Sequence, residues 1–188
     1  MTDDMLLLVD EMEENMQKAQ EAMKNDFSAI RTGKASPALV ENITVEYYGA
    51  KSRIRDIAGI ATPEARLITI QPWDQSAVKL IEKAIQESNL GISPVSDGRV
   101  IRLPIPPLSQ ERRLMLGKQV KSRAEEARVA VRNIRRDANE AAKKAQKASE
   151  ITEDELKDML EKIQKITDKS IAQIDALMEE KEKELMAF

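Results

Sequence analysis

Between Ser109 and Ser149 the chain carries 12 basic and 5 acidic side chains, a net charge of +7. On a helical projection from Arg113, the apolar Leu116, Val120, Ala127, Val131, Ile134 and Ala138 fall within an arc of about 60°. Lys121, Arg128, Arg132, Arg135 and Arg136 fall on the adjoining flank, about 40° to 140° from Arg113, which lies at the margin of the apolar arc. Glu125 is the one acid on that flank. The result is a basic strip about 35 Å long at the rise of an α-helix. Guanidinium forks in such a row suit the phosphates of a polyanion, whose counterions they displace. A strip rich in arginine and poor in aromatics fits a structured RNA or DNA backbone better than single strands, which favour stacking platforms. The same spacing also fits ion pairing with acidic neighbours across a helical seam. Periodicity leaves both readings open.

Other chemistry is limited by what is missing. The 188 residues include no cysteine and no histidine. That excludes disulfides, serine–histidine and cysteine–histidine nucleophiles, and zinc sites built on thiolate or imidazole. Neither a G-x-x-x-x-G-K-[ST] nor a G-x-G-x-x-G loop is present, so Gly49, Gly91 and Gly98 read as turn residues. Acid pairs such as Asp3/Asp4, Glu13/Glu14 and Glu179/Glu180 lie in charged helical faces. A carboxylate–magnesium nuclease has no specific support, and no metal or cofactor is expected. The apolar run Met5 to Val9 is too short to cross a membrane, and its acidic surroundings do not suit a signal or transit peptide. A cytoplasmic protein is expected.

The elements that would position the strip follow from the spacing of apolar residues. Met5, Val9, Met12, Met16, Ala19, Met23 and Ile30 predict one helix, broken in its stripe only by Asp26 with Phe27 beside it. The methionines read as core filler. After Pro37 the period changes. Strands are expected over Ile43–Tyr48, around Arg53–Ile57 and over Arg66–Gln71, and another over Val100–Leu103 after the Asp97-Gly98 turn. A helix is expected after Asp74 as N-cap, with Val78, Ile81, Ala84 and Ile85 on one face and Gly91 past its end. Trp73 reads as packing at the edge of this module. A second long helix starts after Ser109, and a third at Thr152 with a stripe of Leu156, Leu160, Ile163, Ile174 and Leu177.

Three long amphipathic segments bury their stripes most economically against one another. The expected fold is therefore α+β: an antiparallel three-helix bundle from residues 1–31 and 106–188, with a small β/α/β domain, residues 32–105, inserted. Two linkers would join them: Thr32, Gly33, Lys34, Ala35, Ser36 and Pro37, and Leu103, Pro104, Ile105, Pro106 and Pro107. A hinge and a rigid connection both fit that composition. The formal net charge of −3 averages the +7 segment against −6 for residues 1–30 and −6 for residues 150–188.

Several runs of residues point further. Arg31-Thr32-Gly33-Lys34-Ala35-Ser36-Pro37, Val45-Glu46-Tyr47-Tyr48-Gly49, Pro106-Pro107-Leu108-Ser109-Gln110-Glu111-Arg112-Arg113, Ala130-Val131-Arg132-Asn133-Ile134-Arg135-Arg136-Asp137-Ala138 and the ending Lys183-Glu184-Leu185-Met186-Ala187-Phe188 resemble the ribosome recycling factor family nearly end to end. Lys34 stands where that family usually has Arg, and Ser109-Gln110 where it usually has Thr-Glu. The resemblance implies an L-shaped, transfer-RNA-like monomer whose small domain swings on a two-stranded hinge. It implies binding to the post-termination ribosome and splitting into subunits with elongation factor G and that factor's GTP hydrolysis. It places the basic face on large-subunit ribosomal RNA, with Arg31, Arg113, Arg132 and Arg135 as contacts. Lys121, Arg128 and Arg136 join them from the helical projection. The other reading of the same strip is a generic helical RNA-binding or scaffolding protein.

Overall fold

A computed structural model of the chain describes residues 2–187. In chain order the elements are α1 (Asp3–Ser28), β1 (Thr44–Tyr47), β2 (Ala50–Arg53), α2 (Ile54–Ile57), β3 (Ala58–Glu64), β4 (Leu67–Pro72), α3 (Val78–Glu87), β5 (Val95–Ser96), β6 (Ile101–Pro104), α4 (Gln110–Lys147) and α5 (Glu153–Ala187). They form two compact units. One takes in the chain through Phe27 with Met115–Lys183; the other takes in Ser28–Leu114 with the residues from Glu184 onward.

The first unit is a helical bundle. Asp3 and Asp4 sit in the first turn of α1, where the helix dipole favours them. Ser109 caps α4 by accepting the Arg112 N–H at 3.2 Å. Thr152 and Glu155 form a reciprocal capping box at the start of α5: Glu155 accepts the Thr152 N–H at 2.9 Å, and Thr152 Oγ1 accepts the Glu155 N–H at 3.2 Å. At the end of α4, Ser149 takes a positive φ of 59° and the Glu150 N–H reaches back to the Ala145 carbonyl at 3.0 Å. Lys121, Arg128 and Arg135 of α4 face Glu182, Asp175 and Gln164 of α5, an order that fixes the two helices as antiparallel.

The buried line of α1 runs Met5, Val9, Met12, Met16, Met23, Phe27. The stripe thus continues through Phe27, four residues after Met23, and the apparent break at Asp26 is a surface position. Five alanines of α4 (Ala124, Ala127, Ala138, Ala142 and Ala145) are buried with Leu116, Val120 and Val131. In α5 the buried line is Met159, Ile163, Thr167, Ser170 and Ile174, while Leu156, Leu160 and Leu177 are only partly covered. Two hydroxyls in the core hid that line from an apolar count. Both are satisfied: Thr167 donates to the Ile163 carbonyl at 2.8 Å, and Ser170 Oγ accepts Gln20 Nε2–H at 2.7 Å.

The second unit packs α3 and two antiparallel sheets around an aliphatic core. One sheet is the β1–β2 hairpin and the other has the order β3-β4-β6-β5. Val78, Ile81 and Ile85 of α3 join Val45, Ile54, Ile68, Ile70, Ile101 and Leu103 in the core. Asp74 caps a 3-10 turn that leads into α3, accepting the Ser76 N–H at 3.0 Å. The helix stops at Glu87, where Ser88 Oγ–H bonds the Ile85 carbonyl at 2.6 Å, earlier than Gly91 suggested. The expected strand over Arg53–Ile57 is instead the end of β2 and the single turn α2, and β3 follows it. β3 contains Gly59 and Pro63 and lies at the sheet edge, with its register broken between Ala61 and Glu64. Proline, which cannot donate to the ladder, is tolerated at such an edge or break, and at strand ends such as Pro72 and Pro104.

Both linkers are tied to the turn between β3 and β4. The Ala35 N–H bonds the Ala65 carbonyl at 2.7 Å, and the Ile105 N–H bonds the adjacent Arg66 carbonyl at 2.7 Å. Leu103 and Pro104 lie within β6, paired with Ile68 and Leu67. Thr32, Gly33, Ala35 and Ile105 are buried, Lys34 and Pro107 exposed. Gly33 has φ +85°, a conformation that glycine adopts without strain. Ser36 accepts the Ala38 N–H at 3.3 Å and precedes a 3-10 turn opened by Pro37.

Candidate nucleic-acid interface

The cations singled out on α4 have different surroundings. Arg128 is the most enclosed, with its side chain only 19% exposed. It donates Nε–H to Asp175 at 2.8 Å and Nη1–H to Glu125 at 3.0 Å, and Nη2 lies 3.4 Å from Met178 Sδ. Its pKa is raised above the ordinary arginine value, chiefly by the bond to Asp175. Lys121 pairs with Glu182 at 3.6 Å across the helices. Both are therefore ion-paired to α5, Arg128 enclosed and Lys121 with its side chain 68% exposed.

Arg132, one turn beyond Arg128, meets α4 alone. Its Nη2 donates to Glu125 at 2.6 Å, and its side chain stays 42% exposed. Glu125 is therefore shared by two arginines, and their hydrogen bonds hold its carboxyl below the usual range, Arg132 first. Arg135 donates to the neutral Gln164 at 3.4 Å. Arg136 is exposed and has no ion pair or hydrogen bond to a side chain among the described residues. Lys118, Lys143 and Lys147 project on the same side of α4, all exposed, so that cations run about 44 Å from Lys118 to Lys147. The sequence carries the same signal, since all three fall about 120° to 160° from Arg113 on the helical projection.

Two arginines belong to the other unit. Arg113 donates to the Met186 carbonyl at 3.3 Å. Arg31 donates Nη2–H to the Pro106 carbonyl at 2.7 Å, while its Nε is buried without a partner. Burial first, and then the charge of Arg112, push the Arg31 pKa down. The two like charges act on one another, as the lowered Arg31 value shows. Arg112 is the residue that inspection of the sequence passed over, because on the projection it lies off the strip.

No group of three potential metal-binding side chains converges among the described residues, and none of the described helices is long and apolar enough to cross a membrane. A groove of about 630 Å³ between β1 and α3 is lined by Asn42, Thr44, Glu46, Lys83, Glu87 and Ser88 among others.

Known proteins resemble this chain along nearly its whole length. Residues 23–186 match the family described as ribosome recycling factor. A ribosome-recycling factor of Halalkalibacterium halodurans is 54% identical over 179 residues, 95% of this chain and 97% of its own length. That of Nitratidesulfovibrio vulgaris is 51% identical over 183 residues, 97% of this chain and 98% of its own. The solution structure of a ribosome recycling factor superposes with a TM-score of 0.81 at 47% identity, covering 100% of both chains. A second similar structure has a TM-score of 0.69 at 45% identity over 96% of this chain and 98% of its own. It is described as models for the T. thermophilus ribosome recycling factor and the E. coli elongation factor G bound to the E. coli post-termination complex. This chain belongs to the ribosome recycling factor family.

Proposed function

We propose that the chain recycles ribosomes after termination: it binds the post-termination complex in the cytoplasm as a monomer and, with elongation factor G and that factor's GTP hydrolysis, splits the ribosome into subunits. The observation that carries this reading is similarity across 96% of the chain to a factor placed with elongation factor G on that complex. The exposed cations of α4, led by Arg132 and Arg136 with Arg135 beside them, would lie on large-subunit ribosomal RNA. Arg31, beside the charge of Arg112, and Arg113 would add further phosphate contacts. Phosphate contacts supply affinity and orientation, and they make binding fall steeply with salt. The family is one of translation factors rather than enzymes. The chain carries no phosphate-cradling nucleotide loop, so the work of splitting would come from the partner's GTP.

The hinge is part of the same proposal. Both linkers are tied to Ala65-Arg66 of the small domain, so any turning would take place where they leave it toward the bundle. Light scattering of post-termination ribosomes mixed with the chain, elongation factor G and GTP tests the function: subunits should form only when all three are present. A generic RNA-binding protein would sediment with ribosomes and split none. A disulfide engineered across the linkers should spare binding and slow splitting; an unchanged rate would remove the hinge from the mechanism.

A further inference from the structure

The small unit holds two large aromatic side chains out in water. Tyr48 is 81% exposed, and Trp73, the only tryptophan, is 72% exposed, so the expected packing role of Trp73 does not hold. Both flank Asp74. Trp73 precedes it in the chain, with its backbone fixed by an N–H bond to the Ile57 carbonyl at 3.2 Å. The Tyr48 hydroxyl donates to Asp74 Oδ2 at 3.3 Å, and the Tyr47 hydroxyl donates to the same oxygen at 2.8 Å. The two tyrosine rings meet edge to face with centroids 4.5 Å apart. Tyr48 is thus ordered before any partner arrives, which removes part of the entropy cost of docking.

The backbone is strained to place it there. Tyr48 and Gly49 form the two-residue turn of the β1–β2 hairpin with φ of +50° and +75°. Asn or Asp before Gly is the unstrained choice in that turn. Among the described residues the only other non-glycine with positive φ is Ser149, which closes a helix. A ring that is mostly exposed contributes little to the core of the unit. Strain of this kind is a pointer to function.

We propose that Tyr48 and Trp73, framed on Asp74, form a docking platform for a protein surface that presents an arginine or lysine. Ring faces attract cations, and a carboxylate beside them adds charge of the right sign. Asp74 is ionised at neutral pH, because the Ser76 N–H and the Tyr47 hydroxyl hold its carboxyl below the usual carboxylate range. The same charge repels a phosphate backbone, which sets this surface apart from the cationic face of α4. Tryptophan and tyrosine are the residues most often found carrying the energy of a protein interface. The inference rests on the recycling reading only for its assay.

Tyr48→Asn and Trp73→Ala in the full chain provide the test, read by thermal unfolding and by splitting with elongation factor G and GTP. Tyr48→Asn should unfold at the same temperature or a few degrees higher, because the turn is relieved. Each variant should need about tenfold more protein for half-maximal splitting, as loss of an interface anchor predicts. A photoreactive phenylalanine analogue at position 48 should cross-link to protein in the reconstituted post-termination complex. Undiminished splitting by both variants, a cross-link to ribosomal RNA, no cross-link at all, or an unfolding temperature lowered by Tyr48→Asn would each overturn the platform. Failure of the unsubstituted chain to split ribosomes would count against the recycling reading, and the cross-link would then decide the platform alone.

Discussion

The two units fill their cores with different side chains. In the bundle, α1 contributes Met5, Met12, Met16 and Met23, and α4 answers with five buried alanines. Methionine is unbranched and adapts to irregular gaps, while alanine adds little bulk to a helix seam. The small unit is built instead on Val45, Ile54, Ile68, Ile70, Ile81, Ile85, Ile92 and Ile101. Branched side chains are stiff at χ1 and pack well on a pleated sheet. Their surfaces differ in parallel. The long helices segregate charge, while residues 31–108 carry a net +2 spread over short elements. A forgiving core beneath a charged face suits a phosphate-gripping rod. A stiff core suits a platform that must hold a few side chains in fixed positions.

The largest expected effect tests the stiffness of the small unit. Ile70→Ala should destabilise it by about 3–4 kcal/mol, because a fully buried branched side chain leaves a cavity that the sheet cannot close. Met16→Ala in the bundle should cost less, about 2–3 kcal/mol, because flexible neighbouring methionines close part of the cavity. Hydrogen exchange resolved by segment measures both, and equal costs would dissolve the contrast between the cores.

The next comparison lies within α4. Arg128→Ala should lower bundle stability by roughly 1–2 kcal/mol, since it leaves Asp175 half-covered and unpaired. Arg132→Ala should leave the unfolding temperature unchanged and lower ribosome affinity about tenfold. The reverse assignment would show that enclosure does not separate structural from RNA-facing arginines. A smaller change is expected from Glu125→Gln. Phosphate must compete with this carboxylate for Arg132, so its removal should raise ribosome affinity a few-fold at low salt, as an equilibrium titration would show.

The smallest effect concerns the platform's foundation. The hydrogen bond to Asp74 pushes the Tyr47 hydroxyl up to about 12. A raised pKa contributes stability that is fully present below the ordinary tyrosine value of about 10 and is lost as pH rises through the folded value. Ultraviolet titration should therefore show a late tyrosine step that Tyr47→Phe abolishes.

How much of this could be read from the sequence depended on whether a residue's fate is set by its own element. The long helices were legible because an apolar stripe at helical spacing is a local signal. The polar core positions Thr167 and Ser170 were not, since their partners lie a turn back on the backbone or on another helix at Gln20. β3 escaped because Gly59 and Pro63 disguise an edge strand that pairs only with β4. The helical projection placed Arg128 and Arg132 side by side. Only Asp175, 47 residues beyond Arg128, tells them apart. Phe188, at the end of the C-terminal motif, lies outside the described residues.

The central claim is that exposed arginines of α4 hold the chain on ribosomal RNA while elongation factor G acts. The most direct measurement is the salt dependence of ribosome binding for the unsubstituted chain and Arg132→Ala, each followed by splitting with elongation factor G and GTP. The account predicts a steep decline of affinity with salt, a slope shallower by about one for Arg132→Ala, and normal splitting once that variant is saturating. Equal affinity and equal slope for the two proteins would contradict it.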